Sequence, residues 1–79
     1  MRDNAERLMV IGNLKKQVAG EIVRERQMLG VSQGAFAKMA ETTQGDISAI
    51  ETGDLRRFTL DRLCWVLCAL GHDVEFHVC

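Results

Sequence analysis

The sequence predicts an all-α domain of four helices, or five if the first one breaks, closed by one short β-strand. Three observations lead there. Apolar residues recur at helical spacing in four runs, each ended by glycine or preceded by a Ser, Thr or Asn cap. Proline is absent, which suits uninterrupted helices with short connections. The tail "DVEFHV" alternates strictly between polar and apolar residues, as a half-covered strand does.

A chain of 79 residues makes a single domain over residues 1–79 with a modest core. Apolar residues are 47% of it and charged ones 27%, the balance of a folded soluble protein. Nothing resembles a signal peptide, and no apolar run approaches the roughly 18 residues of a membrane span. Cys64, Cys68 and Cys79 are an odd number gathered at one end, a poor disulfide framework, so a reducing cytoplasmic setting is expected. The net charge of −1 is not the basic balance usual for nucleic-acid binders. Any such contact must therefore rely on local placement of positive charge.

Asn4 is placed to cap a first helix that runs to Leu29, with Glu6 in its first turn and Gly30 just past its end. Its stripe is Leu8, Ile11, Leu14, Val18, Ile22 and Leu29. Gly12 and Gly20 each weaken it by about 1 kcal/mol relative to alanine, and Gly12 marks the place for a bend or break. Ser32 caps a second helix through Ala40, with Val31 stapled onto Phe36. Thr43 caps a third, whose inner face carries Ile47 and Ile50, with Asp46 at the capping-box position and Gly53 beyond the end. Thr59 opens a fourth, with Phe58 and Leu63 as a second staple and Asp61 in the first turn. That helix buries Leu60, Leu63, Val66, Leu67 and Leu70 and stops at Gly71. A strand over residues 73–78 follows, with Val74, Phe76 and Val78 on one face.

About three residues join helices two and three, so the pair crosses at a large angle as a helix-turn-helix over residues 32–52. Ala37 supplies the small residue at the crossing, and Ile47 and Ile50 supply the anchors. The segment resembles the phage-repressor-like (XRE) helix-turn-helix family through Ser32, Gln33, Ala37, Thr43, Gln44, Ile47, Ser48, Ile50, Glu51 and Gly53. The stretch "FTLDRLCWVLCALGHDVEFHV" and the long lead-in helix are similar to an antitoxin-like subgroup with a C-terminal strand. The resemblance implies a bacterial, sequence-specific DNA-binding transcriptional regulator, repressor-like, serving as antitoxin and autoregulator of a toxin–antitoxin pair. Its partners would be double-stranded DNA, a second copy of the chain and a toxin protein. The alternative is a protein-interaction or toxin-neutralising module with little DNA binding of its own. The chain departs from the family at Glu41, where a glycine often makes the turn, and at Gly45, where many relatives place a base-reading side chain.

Arg26 falls on the apolar stripe of the first helix, and Glu51 sits beside Ile50 on the third. Burying either ion alone costs several kcal/mol, so a structural ion pair is expected, as in relatives. Gln33, at the start of helix two, is placed for a phosphate. Helix three, entered at Thr43, would present Gln44, Gly45, Asp46, Ser48 and Ala49 to a major groove. Gln44 suits adenine, Ser48 donates or accepts, and Gly45 and Ala49 permit close approach. Asp46 has two readings, an acceptor for a cytosine amine or the capping-box partner. Arg56 and Arg57 stand where relatives make phosphate contacts. With so few base readers, specificity would lean on dimer geometry and DNA shape.

A lone strand leaves N–H and C=O groups unpaired, and the same strand of a second copy is the cheapest partner. Trp65 and Ala69 lie on the side of helix four away from Leu63 and Leu67, which extends a dimer interface made by Val74, Phe76 and Val78. Two recognition helices would then stand about 34 Å apart on a palindromic operator. Catalysis is not expected, because no serine, cysteine or carboxylate has an evident base partner. Cys64 and Cys68 lie one helical turn apart with His72, His77 and Cys79 nearby, but Cys64 borders the apolar stripe, so thiols in the core are expected instead of a metal. No cofactor is expected.

Overall fold

A computed structural model describes residues 3–71 as four helices. They are α1 (Asn4–Leu29), α2 (Gln33–Met39), α3 (Gln44–Thr52) and α4 (Leu60–Ala69). The predicted strand at residues 73–78, with Val74, Phe76 and Val78, lies outside the described residues, as do His72, His77 and Cys79. No described helix is long and apolar enough to cross a membrane.

The helix ends follow from their caps. Ser32, Thr43 and Thr59 each accept the amide three residues on through the side-chain hydroxyl, at 3.0–3.1 Å. The first helix differs by one residue: Asp3, not Asn4, is the cap, and its carboxylate accepts the Glu6 amide at 2.8 Å. Gly30 and Gly53 stop α1 and α3 in the left-handed conformation, at φ 67° and 84°. The turn between α2 and α3 passes through Glu41 at φ 56°, a conformation that costs a non-glycine residue about 1–2 kcal/mol. Amides of Glu41 and Thr42 bond back to the carbonyls of Lys38 and Ala37, which holds the turn despite that strain.

The core gathers Ile22 of α1, Phe36 of α2, Ile47 of α3, and Leu63 and Val66 of α4, all fully buried. Ala37 is buried at the α2–α3 crossing, as its size required. The α1 stripe is only half used. Val18, Ala19 and Ile22 are buried, but Leu8 is 70% exposed, and Ile11 and Leu29 are exposed too. Length explains this: α1 spans about 39 Å at 1.5 Å per residue, whereas α2, α3 and α4 span about 10–15 Å each. Three short helices cover only part of a long one. Nor does α1 break at Gly12, since it runs unbroken from Asn4 to Leu29. On α4, Leu60 and Leu70 reach only half burial beside the buried Leu63, Val66 and Leu67.

The expected ion pair is formed. Arg26 grips Glu51 with two donors, Nε to Oε2 and Nη2 to Oε1, the second at 2.8 Å. Its remaining nitrogen, Nη1, donates to the Val31 carbonyl at 3.0 Å. Gln33 adds its amide to Glu51 Oε1 at 3.3 Å. One guanidinium thus joins α1, the lead-in to α2 and the last turn of α3. The pair is half-buried rather than enclosed, with side-chain exposures of 26% and 15%, so water still screens it. The hydrogen bonds from Arg26 hold the Glu51 carboxyl below the usual carboxylate range, against a smaller upward push from burial.

Two outcomes are expected. Glu51→Ala lowers Tm by several degrees, less than a fully buried pair would cost, and a melting point equal to the parent's would show the pair to be inert. Because the Glu51 pKa is depressed by folding, its contribution is complete at neutral pH and fades as pH falls below the ordinary glutamate range; the acid limb of Glu51→Gln is therefore flatter. Glu41→Gly relieves the left-handed residue and adds up to about 1 kcal/mol after the larger chain entropy of glycine is subtracted. Urea midpoints at unchanged slope measure that gain.

Candidate nucleic-acid interface

α3 turns Ile47 and Ile50 into the core, both essentially buried. At 100° per residue the opposite face carries Gly45, Ser48, Ala49 and Thr52. Gln44 and Gly45 are exposed, whereas Ser48 and Ala49 are half covered. Thr52, not among the expected contacts, is exposed on the same face, and its hydroxyl donates to the Ala49 carbonyl at 3.1 Å. Its place, seven residues after Gly45, was the signal that marked it.

Neighbouring helices place the polar side chains around this face. Gln44 lies across the start of α2, where a Cβ on Gly34 would come 3.6 Å from its Oε1. Gln33 reaches the other way, to Glu51, so it braces α3 and keeps one amide hydrogen for a ligand. Thr43, at the cap, is exposed with its hydroxyl on the Asp46 amide.

Asp46 sits in a cluster that the sequence did not announce. The Thr42 hydroxyl donates to Oδ2 at 2.6 Å, Arg57 Nη2 stands 3.4 Å from Oδ1, and Arg62 Nη2 stands 3.7 Å from Oδ2. Arg62 also donates to the Thr42 hydroxyl at 3.0 Å, closing the cluster. The Thr42 bond, chiefly, holds the Asp46 carboxyl below its ordinary range, with Arg57 and Arg62 adding to it and burial opposing. Its charge is thereby offset by two guanidinium groups at the first turn of α3.

The two adjacent arginines behave differently. Arg57 donates to the Gly45 carbonyl at 3.2 Å and rests over the Phe58 ring, 5.1 Å from its centre. Arg56 projects into solvent, 96% exposed, with only Asp54 at 3.7 Å. Arg62 lies over the Trp65 ring at 4.6 Å. Its three-residue spacing from Trp65 on one helix was a legible sign of that contact. Trp65 is 45% exposed and Ala69 is exposed beside it.

Cys64 is half-buried against the core and burial pushes its thiol pKa up, whereas Cys68 is exposed, so only one of the two thiols expected in the core packs there. Among the described residues no three His, Cys, Asp or Glu side chains gather to hold a metal ion.

A family model described as a helix-turn-helix domain matches residues 1–79. No curated protein and no solved structure matches the chain. The geometry of α2 and α3 and the extent of that match agree: the chain belongs to the helix-turn-helix domain family.

Proposed function

We propose that the chain is a sequence-specific, repressor-like transcriptional regulator of the XRE type that inserts α3 into the major groove of DNA. The observation that carries this reading is the placement of α3. Its apolar face is locked into the core while Gln44, Gly45, Ser48, Ala49 and Thr52 form a polar outer face with small side chains. Gln44 reads adenine, Ser48 donates or accepts at a base edge, and Gly45 and Ala49 admit the bases closely. Asp46 organises Arg57 and Arg62 instead of reading a base. Thr43 and Gln33 line the approach, and Arg56 and Arg57 serve the phosphates.

The regulator acts as a homodimer on a palindromic operator. Exposed Trp65 and Ala69 on α4 are the interface anchors from the described part of the chain. The expected share of Val74, Phe76 and Val78 in that interface falls on residues outside those described. The role as antitoxin and autoregulator of a toxin–antitoxin pair rests on the sequence resemblance alone. A second reading, a protein-binding module with weak DNA affinity, draws support from the net charge of −1.

Selection of bound duplexes from a random pool tests the main reading: enrichment of one two-fold symmetric sequence supports it, and no enrichment rejects it. On the selected site, Gln44→Ala weakens binding by about 1–3 kcal/mol and leaves random DNA unaffected. An equal loss on both would assign Gln44 to the backbone. Arg56→Ala weakens both and lowers the salt slope by about one phosphate contact. An unchanged slope would remove Arg56 from the interface.

A further inference from the structure

A groove runs between α1 and the segment that follows α3. Its main part holds about 630 Å³, and a hollow of about 250 Å³ extends it, the two sharing Lys16, Gly53 and Leu55. The floor is apolar, made by Ala19 and Val23 of α1 with Ile50 and Leu55 opposite. The rim is cationic. Lys15, Lys16 and Arg24 project from α1, and Arg56 faces them. Lys15, Lys16 and Arg24 make no ion pair among the described residues, and the one carboxylate of the lining, Glu51, is held by Arg26. Positive charge is therefore left over here, on a chain whose net charge is −1.

Gly12 and Gly20 face this groove from inside α1, where a Cβ on either would meet nothing within 4 Å. The chain's own packing does not require them, although each weakens the helix relative to alanine. Bare backbone at both places lets another chain come close.

We propose that this groove docks an acidic amphipathic helix of a different protein. The apolar stripe of that helix lies on the partly buried Val23 and Leu55, and its carboxylates meet Lys15, Lys16 and Arg24. Charge complementarity selects this occupant. A nucleic acid gains nothing from glycines whose N–H groups are already spent in the helix ladder, nor from an apolar floor. A second copy fits poorly, because no described helix offers a free acidic face. In α1, Glu6, Glu21 and Glu25 are interspersed with Arg7, Lys15, Lys16 and Arg24; α2 has none; Asp46 and Glu51 of α3 are engaged; and α4 carries Asp61 alone, beside Arg62.

The test titrates the isotope-labelled full chain with a synthetic helical peptide carrying Leu and Ala on one face and Glu on both flanks. A peptide with Lys replacing Glu, and a random DNA duplex, are the comparisons. The acidic peptide is expected to shift the amides of residues 16–23 and 50–55, and the basic peptide to leave them unmoved. Gly20→Leu, which fills open space, and Lys16→Glu with Arg24→Glu, both exposed, each weaken the acidic peptide about tenfold or more. The charge-reversal pair decides the matter if Gly20→Leu does not fold. Absence of the shifts, equal binding by the variants, or equal binding of the basic peptide overturns the proposal. Shifts of the amides of residues 16–23 by the duplex would assign the groove to phosphate. Self-association that Gly20→Leu abolishes would assign it to a second copy. Either result also overturns the proposal.

Discussion

One guanidinium holds this molecule's working parts in register. Arg26 binds both oxygens of Glu51 and the Val31 carbonyl, so the last turns of α1 and α3 and the entry to α2 converge on a single side chain. The need for it follows from helix length. α2 and α3 have 7 and 9 residues, and isolated helices shorter than about 12–15 are marginal in water. Phe36, Ala37, Ile47 and Ile50 give the pair a shared core, but apolar contacts leave rotation loosely specified. A two-donor Arg–carboxylate contact is directional, and it fixes the angle at which α3 leaves the core. Half-burial suits that role, because the pair keeps its geometry without the full desolvation cost of an enclosed charge.

The same economy governs the charge on the candidate interface. A chain with net charge −1 must concentrate cations where a phosphate backbone would pass. Arg57 and Arg62 are drawn to the first turn of α3 by Asp46, and each rests on an aromatic ring, Phe58 and Trp65 respectively. Asp46, one of the residues with two readings in the sequence, is thus an organiser of two guanidinium groups. A second cationic concentration, along Lys15, Lys16, Arg24 and Arg56, borders the groove beside α1 and lies toward the other end of α3.

Local signals carried most of the fold into the sequence. The end of α1, the three hydroxyl caps and the two left-handed glycines were readable, because each depends on neighbours within a few residues or on a helical period; the Arg26–Glu51 pair, 25 residues apart, was expected from two charges on apolar stripes and from the family resemblance. The exposed half of α1 was not. Leu8 and Ile11 keep the same period as Val18 and Ile22, and only the shortness of the other helices decides which of them find a neighbour. Asp46 was legible as a cap partner but not as the centre of a cluster, since Thr42, Arg57 and Arg62 come from three separate segments. The place of Gln33 against Glu51 was hidden for the same reason.

If the Arg26–Glu51 clamp sets α3 for DNA, its effect on affinity separates from its effect on stability. The most direct measurement is the affinity of the double variant Arg26→Met with Glu51→Leu for the duplex that the parent protein selects from a random pool. Apolar replacement of both partners keeps the local packing and avoids an unpaired charge. The variant should melt close to the parent and hold random DNA as well, yet lose about tenfold or more of its affinity for the selected site. Parent-like affinity for that site, in a double variant that folds normally, would contradict the account.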